Sequence, residues 1–159
     1  MKLLAYSYKR PAALLFYSGL AVGSILYLSS DGELSNLVNL EWKVPALIYD
    51  EFLGEKSGLL WIQNNMVDEL LTLLILGSGT ALVFSKEKIE DEYTMTLRGA
   101  AFQWSFLANM VFVLIATFSI YGLAYFHFMI FQLFSILLLF NLRFQYLLLK
   151  HYNSAGHDE

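Results

Sequence analysis

The chain has no cysteine among its 159 residues. That excludes disulfides, thiolate metal sites, a cysteine nucleophile, c-type haem attachment and palmitoylation. Charge is scarce too: Asp, Glu, Lys and Arg make up 15% of the residues, against about 25% in ordinary soluble proteins. The scarcity is uneven. From Gly99 to Leu142 there are 44 residues without one charged side chain. A helix needs about 20 apolar residues to cross a bilayer, so this run holds two crossings and a tight turn at Gly122-Leu123-Ala124-Tyr125-Phe126-His127. Nucleophile elbows (G-x-S-x-G), zinc-protease H-E-x-x-H helices, P-loops and the E-x-x-H of di-iron bundles are missing as well. No basic patch with interleaved aromatics is present, so direct nucleic-acid binding has no support. His127, His151 and His157 do not lie at matching depths in two spans, which disfavours a bis-histidine haem.

What is present is apolar. Hydrophobic residues make up 57%, and the mean hydropathy is +0.53. The length allows one compact bundle and no separate catalytic domain. Spans are expected at residues 11–30, 67–85, 99–122 and 126–149, with an outer loop at 31–66, an inner loop at 86–98 and a polar tail at 150–159. Residues 11–30 follow Lys2, Lys9 and Arg10 like a signal peptide, but no A-x-A site follows. They read as an uncleaved helix with Pro11 in its first turn. The fold class expected is all-α: an integral membrane, four-span antiparallel bundle with an interfacial outer loop.

Charge sets the orientation. Lys2, Lys9, Arg10, Lys86, Lys88, Arg98, Arg143 and Lys150 fall on one side of such a bundle, and Lys43 and Lys56 on the other. The positive-inside rule then places both termini and the 86–98 loop in the cytoplasm of a bacterial inner membrane. In the outer loop, Glu41-Trp42-Lys43-Val44-Pro45-Ala46-Leu47-Ile48-Tyr49 mixes acids with large apolar residues. Trp42, Tyr49, Phe52 and Trp61 suit a membrane interface. Short helices lying on the outer leaflet or capping the bundle are expected there. The loop either shields the short second span or forms a lid over a pocket.

Four polar groups are the site candidates. Asn64, Asn65, Asp68 and Glu69 open the second span. Asn65 with Asp68 has the form of an N-cap with an acid at N3, and oxygen ligation of a metal is the alternative. Ser85-Lys86-Glu87-Lys88-Ile89-Glu90-Asp91-Glu92, leading to Arg98, is the densest polar cluster. A solvated connector helix, a docking surface for a partner protein and a carboxylate metal site are the three readings. Arg143 lies within the last span and invites a partner; a pair with Glu87, Glu90, Asp91 or Glu92 is expected. Gln132 and Ser135 share its helix face, and Asn109 on the third span can bond across to them. Those residues read as packing glue or as a polar pocket. The small residues Gly19 and Gly23, and Gly77, Gly79 and Ala81, permit close helix approach within the bundle or in a dimer.

Taken together, the blocks Asn64-Asn65-x-x-Asp68-Glu69, Ser85-Lys86-Glu87-Lys88-x-Glu90-Asp91-Glu92, Arg98, Trp104 and Asn141-x-Arg143-Phe144 resemble a family of small, uncharacterised four-span membrane proteins of Bacteroidetes-type bacteria. The resemblance covers roughly residues 60–146. It implies a neighbouring helix-turn-helix regulator, and so a membrane-linked regulatory pair. It implies no activity of its own.

These features lead to one expectation: a non-enzymatic sensory, regulatory or accessory membrane protein that contacts a cytoplasmic or membrane protein partner through residues 86–98. Two others remain open at this point. One is a small transporter or channel component using the face of Asn109, Gln132, Ser135 and Arg143. The other is a carboxylate-metal membrane enzyme. No catalytic residue, no resident metal and no cofactor is expected. The lipid bilayer is a partner in every case, and a homo-oligomer stays open.

Overall fold

A computed structural model of the chain describes residues 3–29, 40–49 and 57–155. The described residues are mostly helical. A 3-10 turn (Tyr6–Tyr8) leads into α1 (Lys9–Ser29), a hairpin follows with β1 (Glu41–Tyr49) and β2 (Ser57–Asn65), and then come α2 (Val67–Val83), α3 (Glu92–Ser119) and α4 (Leu123–Ala155). The chain divides into two compact units, one of Met1–Ser18 with Ile75–Glu159 and the other of Gly19–Leu74.

In the first unit α3 and α4 form a helical hairpin. Asp91 starts α3: its backbone is extended, and its side chain accepts a 2.7 Å bond from the Thr94 backbone N–H. Gly122, at φ +71°, makes the turn into α4. That left-handed conformation costs a side-chain-bearing residue strain and glycine none. Glu92–Ser119 and Leu123–Tyr152 are long and apolar enough to cross a membrane. Both exceed the roughly 30 Å of a hydrocarbon core at 1.5 Å per residue.

The α3 side of this hairpin is inverted relative to an amphipathic helix of a soluble protein. The face α3 buries carries Thr94, Ala101, Ser105, Asn109 and Ala116, which recur at helical spacing. Its large side chains point outward, and Phe118 and, at the start of α4, Leu123 stay 76% and 78% exposed. On α3, small and polar residues face inward and large apolar ones outward, as in helices packed in lipid. Near the start of α3 the seam is sealed by Ala101, Phe140, Phe144 and Leu148, with Val83, Leu97 and Leu147 packed against them.

Gly79 explains how α2 joins this unit. A Cβ there would lie 2.7 Å from Phe16 Cε2 and 2.9 Å from Leu137 Cδ1. Phe16 is fully buried, so glycine is what lets α1 and α4 side chains reach the α2 backbone. The expected small-residue patch therefore works through Gly79; at Gly77 nothing lies within 4 Å. On α1, Gly19 is buried and Gly23 half-buried.

The second unit corrects an expectation. Residues 41–49 and 57–65 pair as antiparallel strands rather than forming short interfacial helices, with Glu41 opposite Asn65 and Pro45 opposite Trp61. The physical reason is a period of two. On one face Val44, Ala46, Ile62 and Asn64 are half-buried and Trp42 is exposed; on the other Glu41, Lys43, Pro45, Trp61 and Gln63 are all exposed, as on a sheet with one wet face. Pro45 would break a helix at this position, whereas an edge strand tolerates it.

Two boundaries also move. α3 starts at Glu92 rather than near residue 99, because Asp91 caps it there. α4 continues to Ala155, so the helix absorbs most of the expected tail, and the His151 ring rests 4.4 Å from that of Tyr93. Residues 86–91 are not a connector helix. Lys2, Asp31, Glu33, Asp50, Glu51, Phe52, Glu55, Lys56 and His157 lie outside the described residues.

Candidate functional site

The densest polar cluster becomes a clasp between four chain segments. At its edge the extended N-terminal segment pairs with the end of α2. Leu4 N–H donates to Phe84 O at 2.8 Å, and Lys86 N–H donates to Leu4 O at 3.0 Å, forming a short parallel bridge between Leu4 and Ser85. Ser85, buried, donates its hydroxyl to Ala81 O at 2.6 Å. Lys9, in the first turn of α1, donates to both carboxylate oxygens of Glu87 at 2.5 Å. Their side chains are 15% and 9% exposed, so water competes little for this pair.

Arg98 sits at the centre. From the second turn of α3 it donates to Val83 O (2.5 Å) and Ser85 O (3.1 Å), capping carbonyls that α2 leaves open at its C-terminus. The same guanidinium reaches both oxygens of Glu90 at 3.3 Å. Its carbon lies 4.7 Å from the centre of the Phe144 ring on α4, within cation–π range. Glu90 in turn accepts from Glu87 N–H at 2.7 Å. One side chain thus binds the end of α2, the 85–90 segment and α4. Only its Nε, buried, lacks a partner.

The acids of the cluster have distinct duties. Glu87 and Glu90 are held inside. Asp91 is exposed, and hydrogen bonding from Thr94, side chain and backbone, holds its carboxyl below the ordinary value of 3.8. Glu92 is exposed, with Lys86, Lys88, Ile89, Tyr93 and Met95, so the outer face of the clasp mixes charge with apolar surface.

Arg143 corrects another expectation. It makes no pair with Glu87, Glu90, Asp91 or Glu92. Its guanidinium carbon lies 4.9 Å from the Trp104 ring and 5.5 Å from the Tyr146 ring. Glu87 and Glu90 go to Lys9 and Arg98, which approach from α1 and α3, whereas Arg143 points to a ring from each of α3 and α4. Charge on one side of a membrane narrows the candidates for a pair; the direction around the helix decides among them.

The polar face of α3 and α4 does assemble. Ser135 donates to Asn109 Oδ1 at 2.5 Å, Gln132 donates to Asn109 O at 3.5 Å, and Ser135 also reaches Gln132 O. Asn109 and Ser135 are buried, and the buried Gln132 Oε1 has no hydrogen-bond partner. Arg143 is not part of this group.

At the hairpin's open end, Asn65 Oδ1 accepts from Val67 N–H (3.2 Å) and Leu40 N–H (3.3 Å). It therefore ties the strand to the first turn of α2, but from one position before the N-cap place, which Met66 holds, and not as the cap expected of it. Asn64 donates to Glu69 at 2.6 Å, while Asp68 is exposed. Neither this group nor the 85–98 clasp gathers metal ligands: among the described residues no group of three or more His, Asp or Glu could hold an ion.

Sequence reasoning missed Lys9 and Thr94 as parts of the site. The helix start at Asp91-Glu92-Tyr93-Thr94 was the available signal for Thr94, since an acid followed three residues later by a hydrogen-bonding residue marks a cap. Nothing local marks the bridge of Leu4 to Ser85. Comparisons of the chain with protein families, with curated proteins and with solved structures return no match.

Proposed function

We propose that this chain is a non-enzymatic, four-span protein of the bacterial inner membrane that acts on a partner protein through the exposed face of residues 86–95. In this reading α1, α2, α3 and α4 cross the membrane, both termini and the clasp face the cytoplasm, and the hairpin of β1 and β2 lies outside. The length of α3 and α4 and the outward-facing apolar side chains of α3 support the crossing, and the segregation of basic residues supports the orientation.

One observation carries the regulatory reading. Arg98 binds α2, the 85–90 segment and α4 together. A shift of any of these helices, or a partner pressing on Ile89 and Tyr93, has to be felt by the others through that side chain. The bistable element would be the clasp, closed or released. Its resemblance to a membrane family linked to a regulator gives the partner a class, a small cytoplasmic regulatory protein.

A photo-reactive side chain placed at Ile89 in cells of the source bacterium tests this. A discrete protein adduct, lost when Glu92 and Tyr93 are replaced, is the expected outcome. Adducts to lipid alone, or the same adducts as from a probe at Phe118, would overturn it. The transport reading keeps one specific observation in its favour, the unpaired Gln132 Oε1 beside Asn109 and Ser135. It predicts solute or ion flux in proteoliposomes that Asn109→Leu abolishes.

A further inference from the structure

We propose that Arg143, set between Trp104 and Tyr146, binds the phosphate of an anionic phospholipid. This rests on the reading that α3 and α4 cross a membrane. The first observation is depth. Arg98 joins the carbonyls of Val83 and Ser85 to the ring of Phe144, which puts Phe144 level with the end of α2, where the charged residues Lys86 and Glu87 begin. Arg143 is the preceding residue on α4, turned about 100° around the helix. It therefore stands at the level of the lipid headgroups.

The second observation is want of a partner. An arginine keeps its charge at any pH the protein meets and carries five N–H donors. Among the described residues none accepts from Arg143; its Nε is buried and unbonded. The two rings offset part of its charge and leave the planar fork of donors open. Of the acids in the 87–92 segment, Glu87 is engaged by Lys9 and Glu90 by Arg98. A phosphate diester supplies two oxygens in the geometry such a fork prefers. The third observation is access. Trp104 and Tyr146 are 44% and 56% exposed, so the site opens sideways, toward lipid, and both rings suit the interface.

The full chain carrying Trp42→Phe and Trp61→Phe leaves Trp104 as its single tryptophan, a reporter at the site. Its fluorescence is followed in vesicles of phosphatidylcholine doped with brominated phosphatidylglycerol or with brominated phosphatidylcholine. The proposal predicts that phosphatidylglycerol is favoured at Trp104 by about fivefold, and that Arg143→Gln brings the ratio to about one while Arg143→Lys retains part of it. Equal quenching by both lipids in the otherwise unaltered protein would overturn the proposal and leave the crossing intact. Loss of the preference on adding millimolar inorganic phosphate would assign the site to a soluble anion and overturn the lipid. Absence of quenching by either lipid would overturn the crossing itself.

Discussion

Arg98 and Arg143 flank one phenylalanine. Arg98 stacks on the ring of Phe144, and Arg143 precedes Phe144 in the chain, yet their surroundings differ in kind. Arg98 is met by backbone carbonyls, a carboxylate and a ring, all supplied by the protein. Arg143 meets two rings and no acceptor. The first is a structural clasp whose loss strands buried acceptors; the second leaves its hydrogen-bonding capacity for something outside the chain. The same residue type, at similar depth, thus serves cohesion in one place and recognition in the other.

The sharpest way to break this comparison is to remove each arginine. Arg98→Ala leaves Glu90 and two helix-terminal carbonyls without their donor, and should cost about 3 kcal/mol, read as a large fall in unfolding temperature in neutral detergent. Arg143→Ala in the same detergent should cost under about 1 kcal/mol, the worth of its ring contacts. Equal losses would erase the distinction.

The close approach behind the clasp gives the next largest effect. Gly79→Ala forces a methyl group against Phe16 and Leu137 and should destabilise by about 1–3 kcal/mol. Gly77→Ala meets open space and should be neutral or gain up to about 1 kcal/mol from helix propensity. If thermal scans rank the two the other way, α1 and α4 do not meet α2 as described. Along the seam, Ser135→Ala removes the bond to Asn109 and should cost about 0.6 kcal/mol in the same scans.

The smallest expected effect is a pH dependence. Asp91 titrates below its ordinary value in the folded chain, so its contribution is present at neutral pH. That contribution is lost as pH falls from about 4 through the lowered folded value. Unfolding temperature should therefore drop on acidification below about pH 4, and less steeply in Asp91→Asn. An unchanged slope in that variant would remove Asp91 as the cap that matters.

Much of this was legible in the sequence, where one-dimensional signals suffice. The uncharged run from Gly99 to Leu142 and its Gly122 turn predict the α3–α4 hairpin. Helical spacing predicts that Ser135 and Gln132 face Asn109. The hairpin of β1 and β2 was legible in principle, since Trp42-x-Val44-x-Ala46-x-Ile48 alternates. The aromatic and acidic mixture favours interfacial helices, and Pro45 argues against them. The clasp was half legible: its residues stand out, its pairing does not. Lys9 and Glu87 are 78 residues apart, and no local period relates them. The charge pattern assigns acids and bases to one end of the bundle, but which arginine meets which acid depends on the direction each leaves its helix.

Because the chain has no cysteine, single thiols report position without a background. A membrane-impermeant maleimide applied to cells producing Ile89→Cys or Tyr121→Cys variants tests the crossing most directly. The account predicts labelling at position 121 in intact cells and at position 89 only after permeabilisation. Labelling of both in intact cells would contradict a membrane-crossing α3, and the reversed order would contradict a cytoplasmic clasp.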